Sequence, residues 1–194
     1  MMDTKGKKII LGSNSPRRKE LLGGLDIEFT VDTGNTFEEI YDPATPHERI
    51  PEVLSEGKSY GFHRALEANE ILITSDTLVL CGERVMGKPH SREEAIDMLR
   101  RLSGREHKVI TAITLRDCDR CSTTSDTAVV YFKELTDNEI EYYIDQYKPF
   151  DKAGAYGIQE WIGYAGIGRI EGSYFTIMGL PVHLVYKELL NFIG

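Results

Sequence analysis

A mixed α/β fold is what this sequence predicts, on three observations. Strand-like and helix-like patterns alternate over the first 81 residues, as they do where strands are joined by crossover helices. A hairpin, two further long strands and more helices follow, with no repeat and no low-complexity tract. Hydrophobic residues make up 41% and charged residues 28% of the 194 positions, the balance of a soluble globular chain large enough to bury a core without staples. At roughly 150 residues per domain, the expectation is one domain spanning residues 1–194, or two small lobes sharing a core.

The first element is a short buried strand over Lys7–Gly12. A polar turn, Ser13-Asn14-Ser15, leads into a helix with Ser15 suited to the N-cap and Pro16 to the first turn, where no N–H is needed. Leu21, Leu22 and Leu25 supply its apolar stripe, and Gly23-Gly24 weaken its end. Ile27–Val31 alternates as a second strand, and residues 32–49 are loop-like. Pro51 opens a second helix, expected to run to about Ala68, with Gly57 and Gly61 as weak points.

Glu70–Cys81 is the strongest strand signal, with a Gly82-Glu83 turn and a return over Arg84–Met86. Ser91 and Glu94 form a capping box for a helix through Leu102. Lys108–Leu115 and Ala128–Phe132 read as two strands around a polar connection, Asp117–Ser125. Thr136 caps a helix carrying Ile140, Tyr143 and Ile144. The segment from Phe150 to Gly179 carries seven glycines and predicts tight turns rather than regular structure. Pro181 begins a final helix through about Phe192.

Charge and cysteine content exclude several classes. The net charge of −8 opposes nonspecific binding to nucleic acid or to an anionic membrane surface, while leaving room for a local basic pocket. Three cysteines, an odd and low number, argue against a disulfide-built secreted fold. No run approaches the roughly 18 apolar residues of a membrane span, and the start of the chain lacks a signal-peptide core. The expectation is a cytoplasmic protein with neither nucleic-acid nor membrane partners.

Four motifs carry candidate chemistry. Ser13-Asn14-Ser15-Pro16-Arg17-Arg18 places two guanidinium groups at a helix start, where free N–H groups attract anions. Two positive charges there oppose the helix dipole, which a bound anion relieves; the plainer alternative is a capped helix with two solvated arginines. Ser75-Asp76-Thr77 is a polar triplet inside the most apolar strand, suited to a metal or a water, or else to a buried aspartate satisfied by backbone. Gly87-Lys88-Pro89 and the segment from Asp151 to Gln159 each set a lysine beside glycine, where loop backbone approaches a ligand closely. A Walker-type phosphate loop and a dinucleotide fingerprint are both absent. Cys118-x-x-Cys121 lacks partners for a zinc site and reads as incidental.

Eight pieces in order resemble the Maf family of nucleoside triphosphate pyrophosphatases over nearly the whole chain. They are S-N-S-P-R-R at 13–18, F-E-E at 37–39, Lys58, S-D-T at 75–77, G-K-P at 87–89, L-S-G-x-x-H-x-V-x-T-A at 102–112, D-K-A-G-A-Y-G-I-Q at 151–159 and G-S-Y-x-x-x-x-G-L-P at 172–181. The resemblance implies an elongated mixed sheet flanked by helices, two lobes around a cleft, and a fold similar to inosine triphosphate pyrophosphatases. It implies hydrolysis of a nucleoside triphosphate to the monophosphate and pyrophosphate, a divalent cation (Mg²⁺ or Mn²⁺) as cofactor, and often a homodimer.

Carried over by residue, Asp76 matches the proton acceptor for the attacking water, and Glu39 a second carboxylate and metal partner. Lys88 joins them in the catalytic set. Ser13 and Arg18 of the first motif, with Lys58 and Lys152, match positions around the triphosphate. Arg17, Thr77 and Gln159 match positions associated with substrate choice. The form ending in Gln159 looks like the subfamily preferring dTTP and UTP. Where the family usually has small residues and glycine, this chain continues Glu160-Trp161-Ile162; Gly57 beside Lys58 is also unusual. Two alternatives stand beside this reading: a pyrophosphatase for another nucleotide such as 7-methyl-GTP or ITP, and a non-catalytic nucleotide-binding regulator of cell division.

Overall fold

Residues 3–194 are described by a computed structural model. Ile9, Ile10 and Leu11 are buried in β1 (Lys8–Leu11), the first strand. Helix α1 (Pro16–Gly23) starts as its sequence demands: the Ser15 hydroxyl accepts the Arg18 N–H at 3.4 Å, and Pro16 fills the first turn. Strand β2 (Phe29–Val31) starts later than the IEFTV alternation suggests. A single 3₁₀ turn, His47–Arg49, then leads into α2 (Ile50–Tyr60), with Pro51 in its first turn.

Helix α2 stops at Tyr60, well short of Ala68. Gly61 closes it by donating to the Gly57 carbonyl at 2.8 Å, and Phe62 departs to bridge with Asn35. Phe62 and Leu66 then bury against Ile10 and Leu72, so tertiary packing wins over helix continuation. A buried hydroxyl chain holds α2 to the sheet. Ser55 Oγ contacts the Thr74 carbonyl at 3.2 Å and Thr114 Oγ1 at 2.9 Å, while Thr74 Oγ1 donates to the Ser55 carbonyl at 2.8 Å.

Strand β3 (Glu70–Cys81) and the return strand β4 (Arg84–Met86) fall as expected; Gly82 takes the positive φ of 58° that the two-residue turn requires. Ser91 caps α3 (Arg92–Leu102), accepting the Glu94 N–H at 3.1 Å, but the Glu94 carboxylate accepts from the His90 N–H, one residue before the cap. Strand β5 is Glu106–Arg116 and β6 is Cys121–Phe132. Residues 121–125, expected in a connection, are therefore strand. Their hydroxyls have partners: Ser122 on Glu188, Thr123 on Thr114, and Ser125 on Glu52.

Helix α4 (Asp137–Tyr147) begins with a complete capping box, Thr136 and Glu139. The glycine-rich segment holds a 3₁₀ turn, Ala153–Ala155, then α5 (Trp161–Gly166), β7 (Ile167–Glu171) and α6 (Tyr174–Met178). The chain ends in α7 (Val182–Ile193). Strand order is β2-β1-β3-β5-β6-β7, with β4 on β3. β1 pairs in parallel with β2 and β3, whereas β3/β4 and β6/β7 are antiparallel, so the sheet is mixed.

Two compact units share these strands. The first runs to Asp76 and adds Thr111–Asp126 and Gly179–Gly194; the second is Thr77–Ile110 with Thr127–Met178. The second unit buries His107 among aromatic rings, with Nε2 2.8 Å from the Tyr156 hydroxyl and Nδ1 without a partner. Burial pushes this imidazole from 6.5 down to about 4, so the fold holds the neutral ring and acid favours the unfolded chain. Its contribution is complete above about pH 6.5, is lost as pH falls toward about 4, and changes no further below. The shift corresponds to about 3 kcal/mol. Urea unfolding at pH 7 and pH 4.5 should differ by most of that amount, and His107→Gln should flatten the difference.

Candidate active site

In the first unit the turn between β1 and α1 is built by its own hydroxyls. Ser13 is buried; its Oγ accepts the Ser15 N–H at 3.2 Å and the Arg18 guanidinium at 3.4 Å. Arg18 Nε donates to the Gly179 carbonyl at 2.8 Å, and the Ser75 hydroxyl donates to the same oxygen at 3.2 Å. Gly179 adopts a φ of 106°, a conformation that side chains rarely take, so the residue presenting that carbonyl is held to glycine. This anchor from the C-terminal motif was not singled out from sequence. Burial draws Arg18 down from its ordinary value, opposed by the charge of Asp76 and reinforced by its neighbour Arg17. Arg17 is half-buried in the first turn of α1, which has no acidic residue.

Lys58 and Asp76 face each other from α2 and β3. Lys58 Nζ lies 2.6 Å from Asp76 Oδ1 and 2.8 Å from Glu39 Oε1. Asp76 is 13% exposed and Glu39 58%, so one ammonium joins an inner and an outer carboxylate. Burial raises the Asp76 carboxyl above the usual aspartate range; Lys58 and Arg18 pull it back, and Glu39 adds to the rise. The group is a carboxylate whose affinity for a proton is increased, held close to two cations.

The chain passes into the second unit at Thr77, half-buried on β3. Lys88 is exposed just after β4, and the Gly154 N–H donates to the Gly87 carbonyl at 3.0 Å, fastening the G-K-P and D-K-A-G segments together. Lys152 is buried and already paired, with Asp151 at 2.7 Å and Glu160 at 3.1 Å. Glu160 also accepts from the Tyr143 hydroxyl, which accepts the Gly157 N–H at 2.9 Å. Burial and the Glu160 carboxylate both push the Tyr143 hydroxyl up, so it stays protonated and keeps donating. Neither Glu160 nor Tyr143 was singled out as a site residue; the signal was Glu160 standing where small residues are usual. Gln159 Oε1 is buried and has no hydrogen-bond partner.

Thus Glu39, Lys58 and Asp76 come together in the first unit, with Ser13 and Arg18 joined at the neighbouring turn. Lys88, Lys152 and Gln159 belong to segments of the second. The two carboxylates paired with Lys58, Asp76 and Glu39, suit a hard divalent cation: Mg²⁺ commonly takes one or two carboxylates and completes its shell with water and substrate phosphate. Among the described residues, one cluster of three ligand groups occurs elsewhere, Asp117-Cys118-Asp119 in the β5–β6 turn. There Asp117 is engaged by the Asp119 and Arg120 N–H groups and the Arg120 side chain, as a turn aspartate is. A cavity of ≈ 620 Å³ beside β1 and β2 is lined by residues such as Lys8, Phe29 and Arg64 and by none of the candidate residues.

Comparison with known proteins agrees with the motif pattern. The family model described as Maf-like protein matches residues 8–192. A dTTP/UTP pyrophosphatase of Porphyromonas gingivalis strain W83 is 46% identical over 99% of this chain and 98% of its own. One from Phocaeicola vulgatus is 49% identical over 94% of each. Among solved structures, the Ham1 protein of Staphylococcus aureus aligns with a TM-score of 0.44 at 17% identity, over 65% of this chain and 72% of that one, an overlap too slight to build on. With a family model across nearly its whole length and relatives this similar end to end, the chain belongs to the Maf family.

Proposed function

We propose that the protein hydrolyses dTTP and UTP to the monophosphate and pyrophosphate. The observation that carries this is the Glu39–Lys58–Asp76 arrangement, with a proton-seeking carboxylate beside Arg18. Like-named relatives at 45–49% identity support the substrate class. Water attacks the α-phosphorus, the bond to the bridging oxygen of the β-phosphate breaks, and pyrophosphate leaves. Asp76 takes the proton of the attacking water, and Lys58 orients that carboxylate. Arg18 and Lys58 would offset phosphate charge, the part that the motif match also gives to Lys88 and Lys152. Charge stabilisation and positioning are the main requirements of such a transfer. Asp76 and Glu39 would hold Mg²⁺ or Mn²⁺, which when bound polarises a phosphoryl oxygen and acidifies water.

Gln159 offers an amide suited to the imide edge of uracil or thymine, and its unpartnered oxygen supports a role as acceptor for the ring N–H. Arg17 and Thr77 would assist in substrate choice, and Ser13 in holding the phosphate turn. The same reading takes residues 1–194 as one Maf-like domain, active in the cytoplasm as a homodimer, which light scattering on the purified protein tests. Among the described residues no helix is long and apolar enough to cross a membrane.

The test is a panel of nucleoside triphosphates with Mg²⁺, measuring monophosphate and pyrophosphate separately. UTP and dTTP should give monophosphate plus pyrophosphate, and Gln159→Glu should lower that activity. Turnover only of a purine such as 7-methyl-GTP or ITP would overturn the base assignment. Diphosphate plus orthophosphate would overturn the chemistry. Binding without turnover of any nucleotide, across metals, would leave a regulatory nucleotide binder.

A further inference from the structure

Helix α2 carries Gly57 in its last turn and is closed by Gly61, four residues on and so on the same face, with Lys58 next to Gly57 in sequence. Glycine inside a helix costs roughly 1 kcal/mol relative to alanine, and nothing in helix capping accounts for Gly57. Phe37 accounts for it. A Cβ on Gly57 would clash with Cζ, Cε2 and Cε1 at the outer edge of the Phe37 ring, and one on Gly61 would lie 2.5 Å from Phe37 Cβ. The phenylalanine therefore lies along the helix, its ring over one glycine and its root over the other.

The strap that carries Phe37 is fastened to the same turn. Asn35 Nδ2 donates to the carbonyl of Lys58 itself at 2.6 Å, and Asn35 Oδ1 accepts the Phe37 N–H at 2.7 Å. The Thr36 N–H donates to the Gly61 carbonyl at 2.9 Å. One asparagine side chain thus links the backbone of the lysine to the backbone of the phenylalanine. Two residues on, the Ile40 N–H reaches back to the Glu38 carbonyl at 2.7 Å, a tight turn centred on Glu39. Glu39 leaves that turn toward Lys58 Nζ, while Ile40 is exposed and gives the strap little burial of its own.

We propose that Phe37, seated on Gly57 and Gly61, is a positioning residue that sets Glu39 against Lys58 and Asp76, and thereby governs how tightly the two carboxylates hold a divalent cation. The proposal rests on the assignment of Asp76 and Glu39 as the cation's ligands. Loss of a group that orients metal ligands typically weakens binding ten- to hundredfold.

The experiment measures Mn²⁺ binding to the nucleotide-free protein by calorimetry and by the loss of free-ion paramagnetic signal. Gly57→Ala should weaken Mn²⁺ by about tenfold while leaving the thermal midpoint unchanged or raised, because alanine favours the helix. Phe37→Ala should weaken it similarly. In Gly57→Ala/Phe37→Ala the two losses should not add, since both act through one seat. A structural role alone would lower the midpoint and spare the affinity. Wild-type affinity in Gly57→Ala and Phe37→Ala, alongside weakened binding in Glu39→Gln, overturns the proposal alone. No Mn²⁺ binding by the wild type, or no effect of Glu39→Gln, overturns the ligand assignment and the proposal with it.

Discussion

Asp76→Asn is expected to lower kcat for UTP hydrolysis about 1000-fold while leaving nucleotide binding intact. Positioned proton acceptors contribute roughly 10²–10⁴, and an amide of the same shape accepts no proton at neutral pH. On the proposed reading Arg18 still offers its charge to the triphosphate, and Lys58 retains Glu39 as a partner. The fold should survive, because burial already penalises the Asp76 charge that the substitution removes. Single-turnover hydrolysis and a nucleotide titration check both halves of the expectation. More than a tenth of wild-type turnover would remove Asp76 from its role. The acid side of the wild-type profile carries the same information. Asp76 accepts a proton only when ionised, and burial raises its pKa, so kcat/KM should fall, as pH is lowered, at a pH above the ordinary aspartate value of roughly 3.9. That limb should vanish in the asparagine variant.

Gly163→Ala is expected to cost the protein a large amount of stability, because it sets a methyl group against backbone. The new Cβ would fall far inside contact with the Ile158 carbonyl oxygen, and also 2.6 Å from the Ile158 carbonyl carbon. A flexible side chain can swing aside, but this obstacle is backbone. Segment 158–163 is also cross-tied, with the Gly163 N–H on the Glu160 carbonyl at 2.8 Å and the Glu160 N–H on the Gly157 carbonyl at 3.0 Å. The expected loss is about 3 kcal/mol, the upper end of ordinary overpacking. Urea unfolding measures it. Because the displaced carbonyl adjoins Gln159, KM for UTP should rise more than that for ITP, which a mere loss of folded protein would not produce. A change under 1 kcal/mol, as volume-tolerant sites show, would mean that the turn relaxes freely.

Much of the frame was legible because its signals are local. Ser15-Pro16, Ser91, Thr136 and the Gly82 turn act within a few residues of themselves, and the strand over Glu70–Cys81 is apolar enough to stand alone. What failed depends on distant partners. The end of α2 was hidden because Phe62 and Leu66 are drawn off by Ile10 and Leu72. The polar start of β6 looked like a loop because its serines and threonines find partners on other elements. β7 is short, half polar and contains Gly168, so its pairing with β6 could not be read from its own pattern. At the candidate site, Asp76, Glu39, Lys58 and Arg18 came from motif order, whereas the convergence of Lys152 and Tyr143 on the Glu160 carboxylate required residues 143, 152 and 160 to be seen in one place.

Gly179 has a consequence in time. Its carbonyl holds Arg18 across 161 positions of sequence and Ser75 across 104. During synthesis from the N-terminus, Arg18 is made 161 positions before the carbonyl that anchors it. A nascent chain that has already paired β1 with β3 still lacks the acceptor that aims Arg18, so the candidate site is completed only once Gly179 has emerged. Folding that awaits so remote a contact is slow relative to local closure. Termination between Asp76 and Gly179 would leave a chain that carries both candidate carboxylates, Glu39 and Asp76, and an unaimed Arg18.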